Sequence, residues 1–148
     1  MRESGIYQSY RLRLACARAP RYNLRMAAAR IVAIDDSPMI LRAVKHALEK
    51  AGFTVTTLDS PSAFDAVRAA NPDLILLDIN MPELFGDDVV AFFRQEWQIN
   101  APIYLCSDIP EDELRARANT SGANGYICKG WGLDVLVQKV TEVVGRPT

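Results

Sequence analysis

Between residues 30 and 144 the chain changes period again and again: a short apolar run, then a longer stretch with apolar residues at helical spacing. Residues 31–34 form the first run, ending at Asp35-Asp36. A stripe at Met39, Ile40, Ala43, Val44, Ala47 and Leu48 follows. Ser37 and Pro38 suit a capping side chain and a first helical position, and Gly52 suits the helix end. Residues 53–58 are a β-branched strand. Ser60-Pro61 is placed to cap a second helix carrying Phe64, Val67 and Ala70, closed by Asn71-Pro72. The run 74–77 is the third strand, and a helix with Val89, Val90, Phe93 and Trp97 follows the loop to Gly86. Residues 101–106 and 124–128 read as the last two strands. Between them lies a polar helix with Glu111-Asp112-Glu113 in its first turn, where the helix dipole favours anions, and Gly122 at its end. Leu133, Leu136, Val137 and Val140 stripe the last helix. Five strands alternating with five helices predict an α/β fold, a parallel sheet wrapped by right-handed crossovers. The fourth helix has the poorest apolar stripe, which makes it the surface freest to move or bind.

At 148 residues the chain has room for one domain and a tail. Its net charge of −1 conceals an asymmetry. Residues 1–25 hold six arginines (Arg2, Arg11, Arg13, Arg18, Arg21, Arg25) against Glu3, whereas residues 26–148 hold 11 basic against 17 acidic side chains. An acidic folded part argues against nucleic acid as its direct partner, because phosphate backbones need a basic face. Residues 1–29 read as a basic, disordered N-terminal extension, with an organelle-targeting or acidic-partner arm as the alternative; arginines interrupt every apolar stretch a secretory signal could use. Three cysteines, Cys16, Cys106 and Cys128, are too scattered for a disulfide framework or a zinc site, and point to a reducing, cytoplasmic setting. No apolar run approaches the roughly 20 residues that would insert into a membrane.

Parallel strands put their carboxyl ends on one rim, where ligand chemistry in such sheets is found. Strand one ends on Asp35 and Asp36, strand three on Asp78, strand four on Ser107 and strand five on Lys129. Each residue alone has an ordinary explanation: a cap, a turn serine, a surface lysine. Together they place three carboxylates on one rim, where mutual repulsion demands a cation. Lys129 can offset one charge. Mg²⁺ suits a few carboxylates plus water and phosphate oxygens, and can take up the rest.

This set of residues resembles the receiver domain of two-component response regulators, the stand-alone chemotaxis type in particular. The matching elements are Asp35-Asp36-Ser37-Pro38, Leu77-Asp78-Ile79-Asn80-Met81-Pro82 with Gly86 beyond, Ser107, and Tyr126-Ile127-Cys128-Lys129. The resemblance covers residues 30 to about 144. It implies a flavodoxin-like (βα)5 doubly wound sheet in the order 2-1-3-4-5, with residues 30–148 as the domain. It further implies that Asp78 is the phosphoryl acceptor, a carboxylate nucleophile forming an acyl phosphate. Asp35, Asp36, Asp78 and the backbone carbonyl of Asn80 would hold Mg²⁺ (or Mn²⁺). Lys129 would pair with one phosphoryl oxygen and Ser107 would donate to another. Tyr126 would be the aromatic that swings inward when Ser107 moves. The expected partners are a histidine kinase or phosphotransfer protein upstream and a target protein that docks on the helix 4, strand 5, helix 5 face. No output domain is expected after Val144, and no enzymatic activity beyond the domain's own phosphoryl transfer and autodephosphorylation.

Two positions depart from the family. Gly130 stands where proline usually follows the lysine, and Asp108 puts a carboxylate at the mouth of the site where a small residue is usual. They motivate a second expectation, a phosphorylation-independent interaction or scaffold domain. A flavin carrier lacks its glycine- and hydroxyl-rich phosphate loop here, and an aspartyl phosphatase wants its two aspartates one residue apart rather than adjacent. Cys106 and Cys128 each precede a site residue. On strands in register their sulfurs share a face as reduced core thiols, with a redox clamp as the sharper alternative.

Overall fold

The computed structural model describes residues 27–82 and 86–145. The expectation for residues 1–29 falls almost wholly outside them. Five parallel strands, β1 (Arg30–Ile34), β2 (Thr54–Leu58), β3 (Leu74–Asp78), β4 (Ile103–Ser107) and β5 (Gly125–Cys128), pair in the order β2-β1-β3-β4-β5. The crossovers are helices α1 (Pro38–Lys50), α2 (Asp65–Ala70), α3 (Gly86–Gln95) and α4 (Glu111–Ser121), and α5 (Leu133–Val144) follows β5.

Side chains of a strand alternate in direction, so the sheet builds two cores. On one face Val32, Ile34, Ile75, Leu77, Ile103 and Leu105 pack against Val67 of α2, Val90 and Phe93 of α3, and Leu114 of α4. On the other, Ile31, Ala33, Leu74, Leu76 and Ile127 meet Leu41, Val44 and Leu48 of α1 and Leu136 and Val140 of α5. Every residue of the central strand β3 is buried, which is why it reads as an unbroken apolar run. Reciprocal bonds tie the lower ends of β1 and β3: Arg30 N donates to Asp73 Oδ2 at 2.7 Å and Asp73 N to the Arg30 carbonyl at 2.7 Å.

Local geometry departs from the sequence reading at several points. Ser60 does not cap α2: its hydroxyl bonds that of Ser62, residues 61–63 make one 3-10 turn, and α2 starts at Asp65 without a side-chain cap. Trp97 lies beyond α3, on a chain turned by the left-handed Gln98 (φ 51°), and stacks on Phe93 at 5.5 Å. Strand β4 starts at Ile103, two residues later than the sequence reading, after a segment whose Ile99 and Ala101 carbonyls accept from the Arg94 guanidinium. It runs on through Ser107, which is therefore a strand residue and not a turn serine. Asn124 lies just outside β5 and caps the edge, accepting from Ile103 N and Arg94 through its side-chain oxygen.

Cys106 and Cys128 do not share a face. Ser107, not Cys106, is the register partner of Cys128, and that offset of one residue sends the two thiols into opposite cores. Both are free and buried, and burial pushes the Cys106 thiol up to about 12. The redox-clamp alternative has no geometry to support it.

An acidic pocket at the carboxyl edge of the sheet

Asp35 follows the last residue of β1, and its backbone N–H still bonds the Leu58 carbonyl of β2 at 3.1 Å. The side chain is only 5% exposed, and its Oδ1 accepts from Ser37 N at 2.9 Å. Ser37 in turn caps α1 by accepting from Ile40 N, with Pro38 at the first helical position. The cap expected at this helix start is present, and it leaves Asp35 for something else. Asp36 next to it is exposed.

Asp78 ends β3 with 3% exposure. Its Oδ1 accepts from Asn80 N at 3.0 Å. Carboxylate oxygens of Asp35, Asp36 and Asp78 lie within 4.8 Å of one another. Oxygens bound directly to Mg²⁺ at about 2.0–2.1 Å stand no more than about 4.2 Å apart, so the trio matches such an ion with slight contraction or one bridging water. Two buried carboxylates and one exposed one, all oxygen donors with no thiol or imidazole among them, suit a hard divalent cation better than zinc or copper.

Lys129 opens the 3-10 turn Lys129–Trp131 and reaches back into this pocket. Its Nζ is 2.7 Å from Asp35 Oδ2 and 3.5 Å from Asp78 Oδ2. Burial disfavours the ammonium, yet the hydrogen bond to Asp35 and the charges of Asp78, Asp35 and Asp108 outweigh it and raise its pKa. The Asp78 pKa is also raised, above that of an ordinary carboxylate. Its burial raises its pKa, helped by the charges of Asp35 and Asp36, and the Asn80 hydrogen bond and Lys129 only partly offset this. One lysine does not neutralise the pocket.

Ser107 is fully buried at the end of β4. Its Oγ accepts from Asn80 Nδ2 at 3.0 Å and from Ile109 N at 3.2 Å. The structure thus brings Asp35, Asp36, Asp78, Asn80, Ser107 and Lys129 to one rim. The resemblance implies only a backbone role for Asn80; its side-chain bond to Ser107 depends on the β3–β4 spacing and leaves no mark in the local pattern.

Tyr126 is not in the pocket. It is half-buried on β5 and faces α4, donating to Glu111 Oε1 at 2.9 Å and accepting from Arg115 Nε at 3.0 Å. The Arg115 guanidinium also lies 5.7 Å from its ring centroid, and the Trp131 ring lies 6.0 Å from it. Helix α4 buries only Leu114 and Ala118, and these polar contacts add to its tie to the edge of the sheet. The weak apolar stripe seen in the sequence is real.

The response regulator receiver domain model matches residues 31–141. The chain is 32% identical over 121 residues to the transcriptional regulatory protein KdpE of Mycobacterium tuberculosis, covering 80% of this chain and 52% of that protein. It is 30% identical over 115 residues to the hybrid signal transduction histidine kinase D of Dictyostelium discoideum, covering 77% of this chain and 7% of that one. It thus spans about half the length of the first and a small part of the second. Among solved structures it resembles the Vibrio cholerae chemotaxis protein CheY4, with a TM-score of 0.72, 29% identity, and coverage of 79% of this chain and 99% of that one. No helix among the described residues is long and apolar enough to cross a membrane. With the sheet order, the acidic rim and the matched span in agreement, the chain belongs to the response regulator receiver domain family.

Proposed function

We propose that this chain accepts a phosphoryl group on Asp78 from a histidine kinase or phosphotransfer protein, with Mg²⁺ (or Mn²⁺) held by Asp35, Asp36, Asp78 and the Asn80 carbonyl. The observation that carries this reading is Lys129 lying between Asp35 and Asp78 in a pocket that still has excess negative charge. A buried carboxylate at a strand end, beside a lysine and a hydroxyl, is equipped for in-line transfer, which needs positioning and charge neutralisation more than covalent chemistry. An Asp78 oxygen attacks phosphorus as the P–N bond breaks. The electron pair stays on the donor ring, which leaves as neutral imidazole because its other nitrogen carries a proton. A bound divalent ion would neutralise carboxylate and phosphoryl oxygens there. Lys129 can turn from Asp35 to a phosphoryl oxygen as a point charge, and Ser107 can donate to another. The signal then passes by protein–protein contact through the α4–β5–α5 face, where Tyr126, Glu111 and Arg115 interlock.

The competing reading is a phosphorylation-independent interaction domain, motivated by Gly130 and Asp108. Against it, Lys129 reaches Asp35 and Asp78 in spite of Gly130, and Asp108 adds to the field that keeps the lysine charged. Titration with beryllium fluoride, a phosphoryl mimic, in the presence of Mg²⁺ separates the two. We expect saturable changes in Trp131 fluorescence and in amide shifts around Ser107 and Tyr126, absent in Asp78→Asn. A flat titration in both proteins leaves only the interaction-domain reading.

A further inference from the structure

Ser107 Oγ is fully buried, and a serine oxygen has two acceptor positions and one hydrogen to give. Both acceptor positions are taken, by Asn80 Nδ2 and by Ile109 N. Among the described residues Ser107 Oγ donates no hydrogen bond of its own. Its hydrogen is therefore the one polar function left to meet an incoming group. The same Asn80 that donates to Ser107 through its side chain donates to Asp78 Oδ1 through its backbone. One residue therefore fixes the carboxylate with its main chain and the hydroxyl with its amide.

We infer that the side chain of Asn80 is a positioning residue for phosphoryl transfer: by filling an acceptor site of Ser107, it leaves that hydroxyl able only to donate, and holds it ready for a phosphoryl oxygen on Asp78. The inference rests on the phosphoacceptor reading and adds to it a role for an exposed amide outside the charged set. Without the amide, Ser107 Oγ has one acceptor site free and can rotate to satisfy it elsewhere. A pre-aimed donor costs no reorganisation when charge builds on the phosphoryl oxygens, and a hydrogen bond received by a hydroxyl also polarises the one it gives. Asn80→Ala removes only the amide, since the backbone N–H to Asp78 and the backbone carbonyl remain.

The test is a double-mutant cycle on the rate of phosphoryl uptake from a phosphohistidine donor with Mg²⁺, in wild type, Asn80→Ala, Ser107→Ala and the double variant. One neutral hydrogen bond predicts a loss of about five- to tenfold for Asn80→Ala. Ser107→Ala loses at least as much, and adding Asn80→Ala to it costs nothing further. Beryllium fluoride affinity follows the same non-additive pattern, and Ser107→Thr, which keeps the hydroxyl, keeps the sensitivity to Asn80→Ala. If Asn80→Ala slows uptake equally with and without Ser107, the amide acts on its own and the inference is wrong. An unchanged rate in Asn80→Ala also overturns it while leaving the phosphoacceptor reading intact. If wild type takes up no phosphoryl group, both fall together.

Discussion

Lys129 sits nearer Asp35 than Asp78: its Nζ is 2.7 Å from the first carboxylate and 3.5 Å from the second. The lysine is thus bonded to a residue assigned to the metal, and only loosely paired with the residue assigned to the phosphoryl group. On the proposed assignment a divalent cation would compete with Lys129 for Asp35, and its binding there would leave the ammonium free to turn toward Asp78. Removing the lysine leaves two buried carboxylates without their cation. We predict that Lys129→Met loses about 2–3 kcal/mol of stability without divalent metal, somewhat less than a fully buried broken pair because Lys129 is in part exposed. Urea denaturation with and without Mg²⁺ checks this. The variant should gain more from Mg²⁺ than wild type does, and an equal gain would contradict the competition.

Asp78→Asn should act in the opposite direction. It removes one charge from a pocket that lacks enough positive charge and keeps an oxygen able to accept from Asn80 N. Metal-free Asp78→Asn is expected to be more stable than wild type by on the order of 1 kcal/mol, with the advantage narrowing as Mg²⁺ is added. Thermal unfolding in chelator and in Mg²⁺ gives the comparison.

Gly130 is the family departure that the structure explains best. Its φ lies outside the left-handed region, and a Cβ built on it meets nothing within 4 Å. Gly130→Ala should therefore stabilise the fold by about 0.4–1 kcal/mol, by restricting the unfolded chain, without moving Lys129. Chemical denaturation tests the first half and beryllium fluoride affinity the second. Gly125 is the contrasting case. A Cβ there would come 2.5 Å from the Tyr104 ring, and Gly125→Ala should cost about 1–2 kcal/mol unless Tyr104 is also shortened to alanine.

The Arg30–Asp73 tie predicts a pH dependence away from the site. Burial raises the Asp73 pKa, but the hydrogen bonds from the Arg30 backbone and guanidinium, with the guanidinium charge, outweigh it and hold the carboxyl below its ordinary value. Between the lowered folded pKa and the unfolded value of 3.8 the unfolded chain binds more protons, so stability rises with pH through that window. The contribution is complete above the unfolded value and is lost as pH falls through the folded one. Both side chains are more than 40% exposed, so Asp73→Asn should cost only about 0.5–1 kcal/mol at neutral pH. That cost should shrink near about pH 3. Denaturant midpoints at the two pH values decide it.

The sheet and the charged rim were legible because they follow from short-range rules. Residues 74–78 announce a fully buried strand ending on a carboxylate, and parallel strands must bring Asp35, Asp78, Ser107 and Lys129 to one edge. What escaped depends on distances between elements. The opposite facing of Cys106 and Cys128 turns on a register offset of one residue. The start of α2 departs from its sequence signal because Ser60 finds Ser62 instead of a helix N–H. Trp97 keeps an apolar partner in Phe93 while lying outside the helix, so its spacing imitates helical period. The Asn80 amide and the Glu111–Tyr126–Arg115 contact join separate elements, and no local pattern encodes either.

The central claim is that Asp78 is a phosphoryl acceptor. The direct measurement is the intact mass of purified wild type and Asp78→Asn after incubation with a phosphohistidine donor and Mg²⁺. Wild type alone should gain one phosphoryl group, lost with chelator and reversed by hydroxylamine, which cleaves acyl phosphates. No gain in wild type, or an equal gain in Asp78→Asn, would contradict it.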